Sequence, residues 1–195
     1  MSIDRKQYRA DEANYPWLSL LLDAYELVDR TLEEAIREYE IRHSVSLACK
    51  MGCSSCCKTH KDIPVYPLEL VGIYWYVIEK LKGNTRQILR EQLKAYKGET
   101  RCPFLVDDLC SIYEMRPIAC RQFNVFNKVC KEGEDPYYTR KQDVFIPPRD
   151  INDKAFSIML PFYGISGDKE ISNFIKNDLF HTFVKVLQAL PWAKL

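Results

Sequence analysis

The sequence predicts a mainly α fold: a single domain of about four to five helices around a loop-built, cysteine-rich metal centre, with one small β-hairpin. Three observations predict it. Apolar residues recur at steps of three and four over several stretches, the spacing that gathers side chains on one helix face. Two short apolar pieces flank an Asp-Asp pair at 107–108, the pattern of a tight hairpin. All eight cysteines fall between Cys49 and Cys130, in stretches with little helical period. The chain is read as one domain over 1–195. An N-terminal arm and helix occupy 1–43, the cysteine-rich core 49–130, and a cover segment with a C-terminal helix 131–195.

Each element has its own reason. Residues 1–16 are charged and polar and form a mobile or docked arm that ends at Pro16. From Trp17 to about His43, Leu18, Leu21, Leu22, Tyr25, Val28, Leu32, Ile36 and Tyr39 make a helical stripe, with Asp29, Arg30, Glu33, Glu34, Arg37 and Glu38 on the solvated face. Pro67 suits the first turn of a second helix, Leu68 to Leu81, which is apolar nearly all round and is therefore expected at the centre of the core. Gly83 ends it, and Asn84 caps a short helix through Tyr96. After the hairpin, Pro117 opens a short helix carrying Cys120 and Phe123. Residues 131–167 are rich in aromatics and proline and give no clear period, as a cover over a site would. Asp168 caps a last helix to about Leu190, with Ile171, Phe174, Ile175, Leu179, Phe183, Val186 and Leu187 inward.

Composition narrows the function. With 47% hydrophobic and 28% charged residues the chain is globular, not disordered or low-complexity. A balance of 28 basic against 27 acidic side chains removes the electrostatic case for nucleic acid or an anionic membrane surface. The longest apolar run, Leu18 to Leu22, is far too short to cross a bilayer, and Met1 to Asn14 lack a secretory apolar region. A cytoplasmic protein is expected, with an unidentified protein as partner or substrate.

The cysteines carry the chemistry. Disulfides suit small exported scaffolds that lack a core, and inert thiols would scatter among the helices; clustered thiols in a chain with a core favour metal. Cys49, Cys53, Cys56 and Cys57 lie within nine residues and converge at little entropic cost. Cys102, Cys110, Cys120 and Cys130 supply the completing ligands, and the hairpin brings Cys102 near Cys110. Eight thiols exceed the four that one zinc ion or one iron–sulfur cluster needs. Two four-thiolate sites, one site with four spare thiols, or one larger multimetal site all fit. Lys50, Lys58, Arg101, Lys128 and Lys131 stand beside the cysteines as solvated charges. Arg116 and Arg121 bracket Cys120 and are assigned to the cofactor, offsetting thiolate charge. His60, three residues after Cys57, has a nitrogen that zinc accepts, but a lone loop histidine more often faces solvent. Glu69 is the one acid to watch, although the dipole of its helix alone would account for it. Cys49-x3-Cys53-x2-Cys56 also has the spacing of radical S-adenosylmethionine enzymes, but the alternating strands and helices of their barrel are missing here.

Together these residues resemble a known family. Cys49-x3-Cys53-x2-Cys56-Cys57, Cys102-Pro-Phe-Leu and Cys110-Ser-Ile-Tyr-Glu-x-Arg-Pro-x-x-Cys120-Arg-x-Phe, closed by Cys130, are similar to the CxxCxxCC family of zinc- or iron-chelating domains. The first two cysteines are separated by three residues, where the family's name implies two. The resemblance implies metal chelation by Cys49, Cys53, Cys56, Cys57, Cys102, Cys110, Cys120 and Cys130. Flagellin lysine N-methylases carry a similar region, which implies an alternative: an iron–sulfur-dependent protein-lysine methyltransferase using S-adenosylmethionine. A second alternative is a zinc-stabilised interaction module without catalysis. The reading taken forward is a thiol-bound iron–sulfur cluster, with zinc second, because thiol-only surroundings beside basic groups suit a redox cluster.

Overall fold

The computed structural model describes residues 5–99 and 101–194. The fold is mainly α, as predicted. The described part of the arm is docked. Helix α1 (Arg9–Asn14) is preceded by Arg5, which pairs with Asp23 at 2.5 Å and Glu12 at 2.7 Å, while Lys6 reaches Glu114 at 2.8 Å. Residues 1–4 of the predicted arm lie outside the described residues.

Helix α2 (Pro16–His43) begins with Pro16 in its first turn, where the missing N–H costs nothing. Leu18, Leu21, Tyr25, Val28 and Leu32 alternate steps of three and four, so all five side chains fall on one stripe and all are buried. Ser44 stops the helix in a left-handed conformation, φ 51°. Next come α3 (Ser55–Thr59), the two-residue strand β1 (Pro64–Val65) and α4 (Pro67–Trp75). The predicted second helix is thus correct in place, but its last turn, Tyr76–Lys80, is a π-helix.

Helix α4 lies against α2 at Gly72, where a Cβ would stand 2.2 Å from Cδ2 of the fully buried Leu21. Only hydrogen fits there. Gly72→Ala is therefore expected to lower stability by roughly 1–3 kcal/mol through overpacking, despite alanine's better helix propensity. Urea unfolding checks it, and an unchanged midpoint would mean that Leu21 is free to move aside.

Helix α5 (Gly83–Ala95) follows, then β2 (Leu105–Val106) and β3 (Leu109–Cys110), paired antiparallel with Leu105 opposite Cys110. Asp107 and Asp108 both have positive φ (48° and 59°), as a two-residue type I′ turn requires. Helix α6 (Ile118–Gln122) carries Cys120. Segment 131–167 is not structureless: it contains α7 (Pro136–Thr139), α8 (Arg149–Met159) and 3-10 turns at Lys141–Asp143 and Leu160–Tyr163. Helix α8 buries Ile151, Ala155, Phe156 and Met159 and makes its main packing contact with α2.

The predicted last helix is shorter than expected. Helix α9 (Asp168–Lys176) ends at Asn177, and Asp178 is left-handed with φ 57°. After a 3-10 turn (Leu179–Phe183) the chain becomes strand β4 (Lys185–Val186), antiparallel to β1 with Pro64 opposite Val186. Of the residues expected inward beyond the break, Leu187 is buried, Phe183 and Val186 are half-buried and Leu179 is exposed; the core is filled instead by Phe180 and Trp192. Gln188 fixes the return, donating to the carbonyl of His60 at 2.8 Å and accepting from the Ile63 N–H at 3.2 Å. Trp192 is fully buried against Phe104, ring centroids 4.7 Å apart, and its indole N–H donates to the Leu187 carbonyl at 2.6 Å. Among the described residues, no helix is long and apolar enough to cross a membrane.

Candidate metal centre

Local backbone contacts bring the cysteine-bearing segments together. Cys49 lies beside residues 124–127: the Ala48 N–H donates to the Val125 carbonyl at 2.8 Å, and the Val125 N–H donates to Cys49 Sγ at 3.4 Å. Behind this ladder Leu32, Phe126 and Phe145 form a small second core with Tyr39, whose ring lies 4.8 Å from Phe126. Gly52 takes φ 83° in the turn that leads to Cys53, the exposed member of the set. Cys56 and Cys57 sit on α3. The Cys57 carbonyl accepts from the Cys102 N–H at 2.7 Å, which seats the hairpin segment on that helix. Cys110 is on β3, Cys120 on α6, and Cys130 accepts at 3.5 Å from Nη2 of Arg140.

All eight cysteines are free thiols. Their mutual influence divides them into two neighbourhoods. In the outer one, Cys49 is affected by Cys53, Cys56 and Cys130, and Cys130 in turn by Cys53 and Cys56. In the inner one, Cys57 is affected by Cys102, Cys56 and Cys110, and Cys120 by Cys56, Cys57 and Cys110. Cys56 belongs to both. Burial, with thiol–thiol hydrogen bonds at Cys56 and Cys57, favours the protonated form of Cys49, Cys56, Cys57, Cys110, Cys120 and Cys130. A hydrogen bond with Cys57 raises Cys56, a hydrogen bond with Cys102 pushes Cys57 up to about 12, and burial pushes Cys49 up to about 11. Among the described residues, no three Cys, His, Asp or Glu side chains are already arranged around one point that could hold an ion.

The two arginines assigned to the cofactor behave differently. Arg121 is buried and spends its donors on the protein: Nε on the Arg116 carbonyl at 3.0 Å, Nη2 on the Glu114 carbonyl at 2.6 Å, and Nη1 on Asp29. Its guanidinium also lies 3.9 Å from the centre of the Tyr25 ring. What it offers the thiols is charge. Arg116 lies over the Tyr113 ring at 4.2 Å and keeps a buried Nε–H with no acceptor in the protein. Burial raises the Cys110 pKa, and Arg116 followed by Arg121 opposes that rise.

His60 does not face solvent as expected of a lone loop histidine. Its ring packs edge-on against Phe123 at 4.3 Å, Nδ1 lies 3.1 Å from Thr59 Oγ1, and Nε2 is buried without a partner. Burial lowers its pKa and keeps the ring neutral. Sequence reading missed Arg140, held by Glu134 at 2.9 Å and Asp143 at 3.1 Å beside Cys130; no motif marks it.

Glu69 proves to be more than a partner for a helix dipole. It is fully buried and accepts from the Tyr66 N–H at 2.9 Å, the Ile118 N–H at 2.7 Å and the Tyr25 hydroxyl at 3.4 Å. One carboxylate thus ties α4 to α2 and to the first turn of the helix that bears Cys120. Burial pushes its pKa from the usual 4.5 to about 7, against the pull of its donors and Arg121. A carboxyl raised in the folded state adds stability below pH 4.5, and that stability is lost as pH rises through about 7. Over that window it amounts to on the order of 3 kcal/mol. Urea midpoints across that range are expected to carry this fall in the wild type and to lose it in Glu69→Gln.

The fold and site define a small helical protein whose loops and short helices gather eight free thiols. The CxxCxxCC family, described as a putative zinc- or iron-chelating domain, matches residues 48–143, and the chain contains that domain. The matched stretch takes in all eight cysteines, so the chemistry that describes this centre is chelation of zinc or iron. No curated protein and no solved structure matches the chain.

Proposed function

We propose that the chain is an iron–sulfur protein in which the inner thiols Cys57, Cys102, Cys110 and Cys120 hold the cluster. The outer thiols Cys49, Cys53, Cys56 and Cys130 form a second, more accessible four-thiol site. The observation that carries this reading is that Cys102 is seated on the Cys57 carbonyl at 2.7 Å, while Cys49 is held on the separate 124–127 segment and Cys130 beside Arg140. A four-sulfur donor set suits either zinc or a cluster. One feature favours the cluster: the unspent Nε–H of Arg116, with the charge of Arg121 behind it, near Cys110. Such donors to sulfur tune a cluster's potential.

A bound cluster would supply one-electron exchange. The chain's own contribution is to exclude water from the inner thiols, to offset their charge with Arg116 and Arg121, and to hold α6 in place through Glu69. The test is protein purified without oxygen and analysed for iron, zinc, acid-labile sulfide and visible absorption. Iron matched by sulfide, with a broad charge-transfer band, is the expected result. A colourless protein carrying zinc would overturn the proposal in favour of a structural tie.

A further inference from the structure

A second site lies away from the thiols, where α1 meets α2 and faces the end of α4. Tyr15, Trp17, Tyr74, Trp75, Ile78 and Glu79 line a shallow groove of about 330 Å³ that is open to solvent. Its aromatic walls form a corner. The Tyr15 and Trp17 rings are 5.9 Å apart, and the Trp17 and Trp75 rings 6.2 Å apart at 83° to one another. The π-helical turn Tyr76–Lys80 places Ile78 and Glu79 on the rim. Such turns are rare and occur often at functional sites. Glu79 is the charged group of the lining, and no basic residue contributes to it.

We infer that this corner binds a methylated ammonium group, with the cation against the Trp17 and Tyr15 faces, the buried Trp75 behind them, and Glu79 as its counter-charge. Three physical arguments lead there. Aromatic faces carry negative potential and attract a cation within about 6 Å of the ring centre. The same cluster already accepts one from the chain itself: the Lys80 ammonium lies 5.1 Å from the Trp75 ring and 5.8 Å from Tyr8, neutralised by Asp11 at 2.5 Å. Methylation then decides the class. In a groove open to solvent a primary ammonium keeps its water and gains little, whereas a methylated head carries the same charge and also covers apolar aromatic surface with its methyl groups. A neutral apolar group would fit the walls but leave Glu79 unused.

Choline and Nε-trimethyl-lysine amide are the probes, and 3,3-dimethylbutan-1-ol serves as the uncharged match for choline. Of the three tryptophans, Trp17 and Trp75 line the groove while Trp192 is buried against Phe104, so intrinsic fluorescence reports occupancy. Saturable quenching by at least one cation is expected, with the neutral match weaker by about tenfold, as cation–π and ion-pair terms predict. The tighter of the two cations tells a free metabolite from a protein side chain as the source. Both Tyr15 and Glu79 are exposed, so Tyr15→Leu and Glu79→Gln should fold normally. Each is expected to weaken binding by about threefold or more. Equal binding of the neutral match, no response to either cation, or binding unchanged in both variants would overturn the assignment.

Discussion

Replacing Glu69 with alanine is expected to cost roughly 3–5 kcal/mol of stability, at the upper end of what single substitutions do. The side chain is fully buried, and its removal strands the Tyr66 N–H, the Ile118 N–H and the Tyr25 hydroxyl without an acceptor. Each orphaned donor costs about 1–3 kcal/mol where water cannot reach it. Chemical unfolding measures the effect, and a loss below about 1 kcal/mol would show that other acceptors take over. The effect should also reach the thiols, because Ile118 begins the helix that carries Cys120 and Arg121. Metal retention during dialysis against a chelator should therefore fall in this variant. Glu79→Ala, changed at an exposed site outside the carboxylate hub, is the control, with an expected change within about 0.5 kcal/mol.

Serine replacement of the cysteines should divide metal content by neighbourhood. Cys120→Ser is expected to remove inner-site metal and to destabilise the protein, since a ligand lost is folding energy lost. Cys53→Ser, at the exposed turn, should empty the outer site and leave the inner one loaded. Cys56→Ser should lower both, because that thiol is close to each set. Metal per chain, measured by elemental analysis on the three variants, decides it; equal losses in all three would mean a single undivided site. Loading should also release about one proton per thiolate formed, since a thiol must lose its proton to bind metal. Metal affinity should accordingly climb as pH rises.

What the sequence disclosed follows from which interactions are local. Helix α2 was readable because burial repeats along it at helical spacing, α4 from Pro67 and its apolar run, and the hairpin from the Asp107-Asp108 pair between two apolar pieces. Helix α5 was placed by its flanking residues, although it starts at Gly83 with Lys82, not Asn84, at the N-cap. The β1–β4 pairing was not readable: two-residue strands show no alternation, and their partners stand more than a hundred residues apart. The last helix was overextended because apolar residue types recur at helical steps past Asp178, although Leu179 is exposed and the buried side chain of that turn is Phe180. At the centre the thiols were evident from residue type alone. Their division into two groups was not, since it depends on the Cys57–Cys102 and Ala48–Val125 backbone contacts. Glu69 stood out in the sequence only as an acid near a helix start, and its three partners come from three separate segments.

The return of the chain through β4 and Trp192 has a bearing on biosynthesis. Protein is made from the N-terminal end, and every thiol is in the nascent chain before Gln188 and Trp192, which seal the region around His60 and Phe104, have been added. For that interval the thiols are on a polypeptide whose frame cannot close. Metal delivery and oxidation then compete for the same sulfurs, and the outcome is set by timing as well as affinity. A protein built in this order gains from receiving its metal late, when the last segment has docked, or from being held reduced until then.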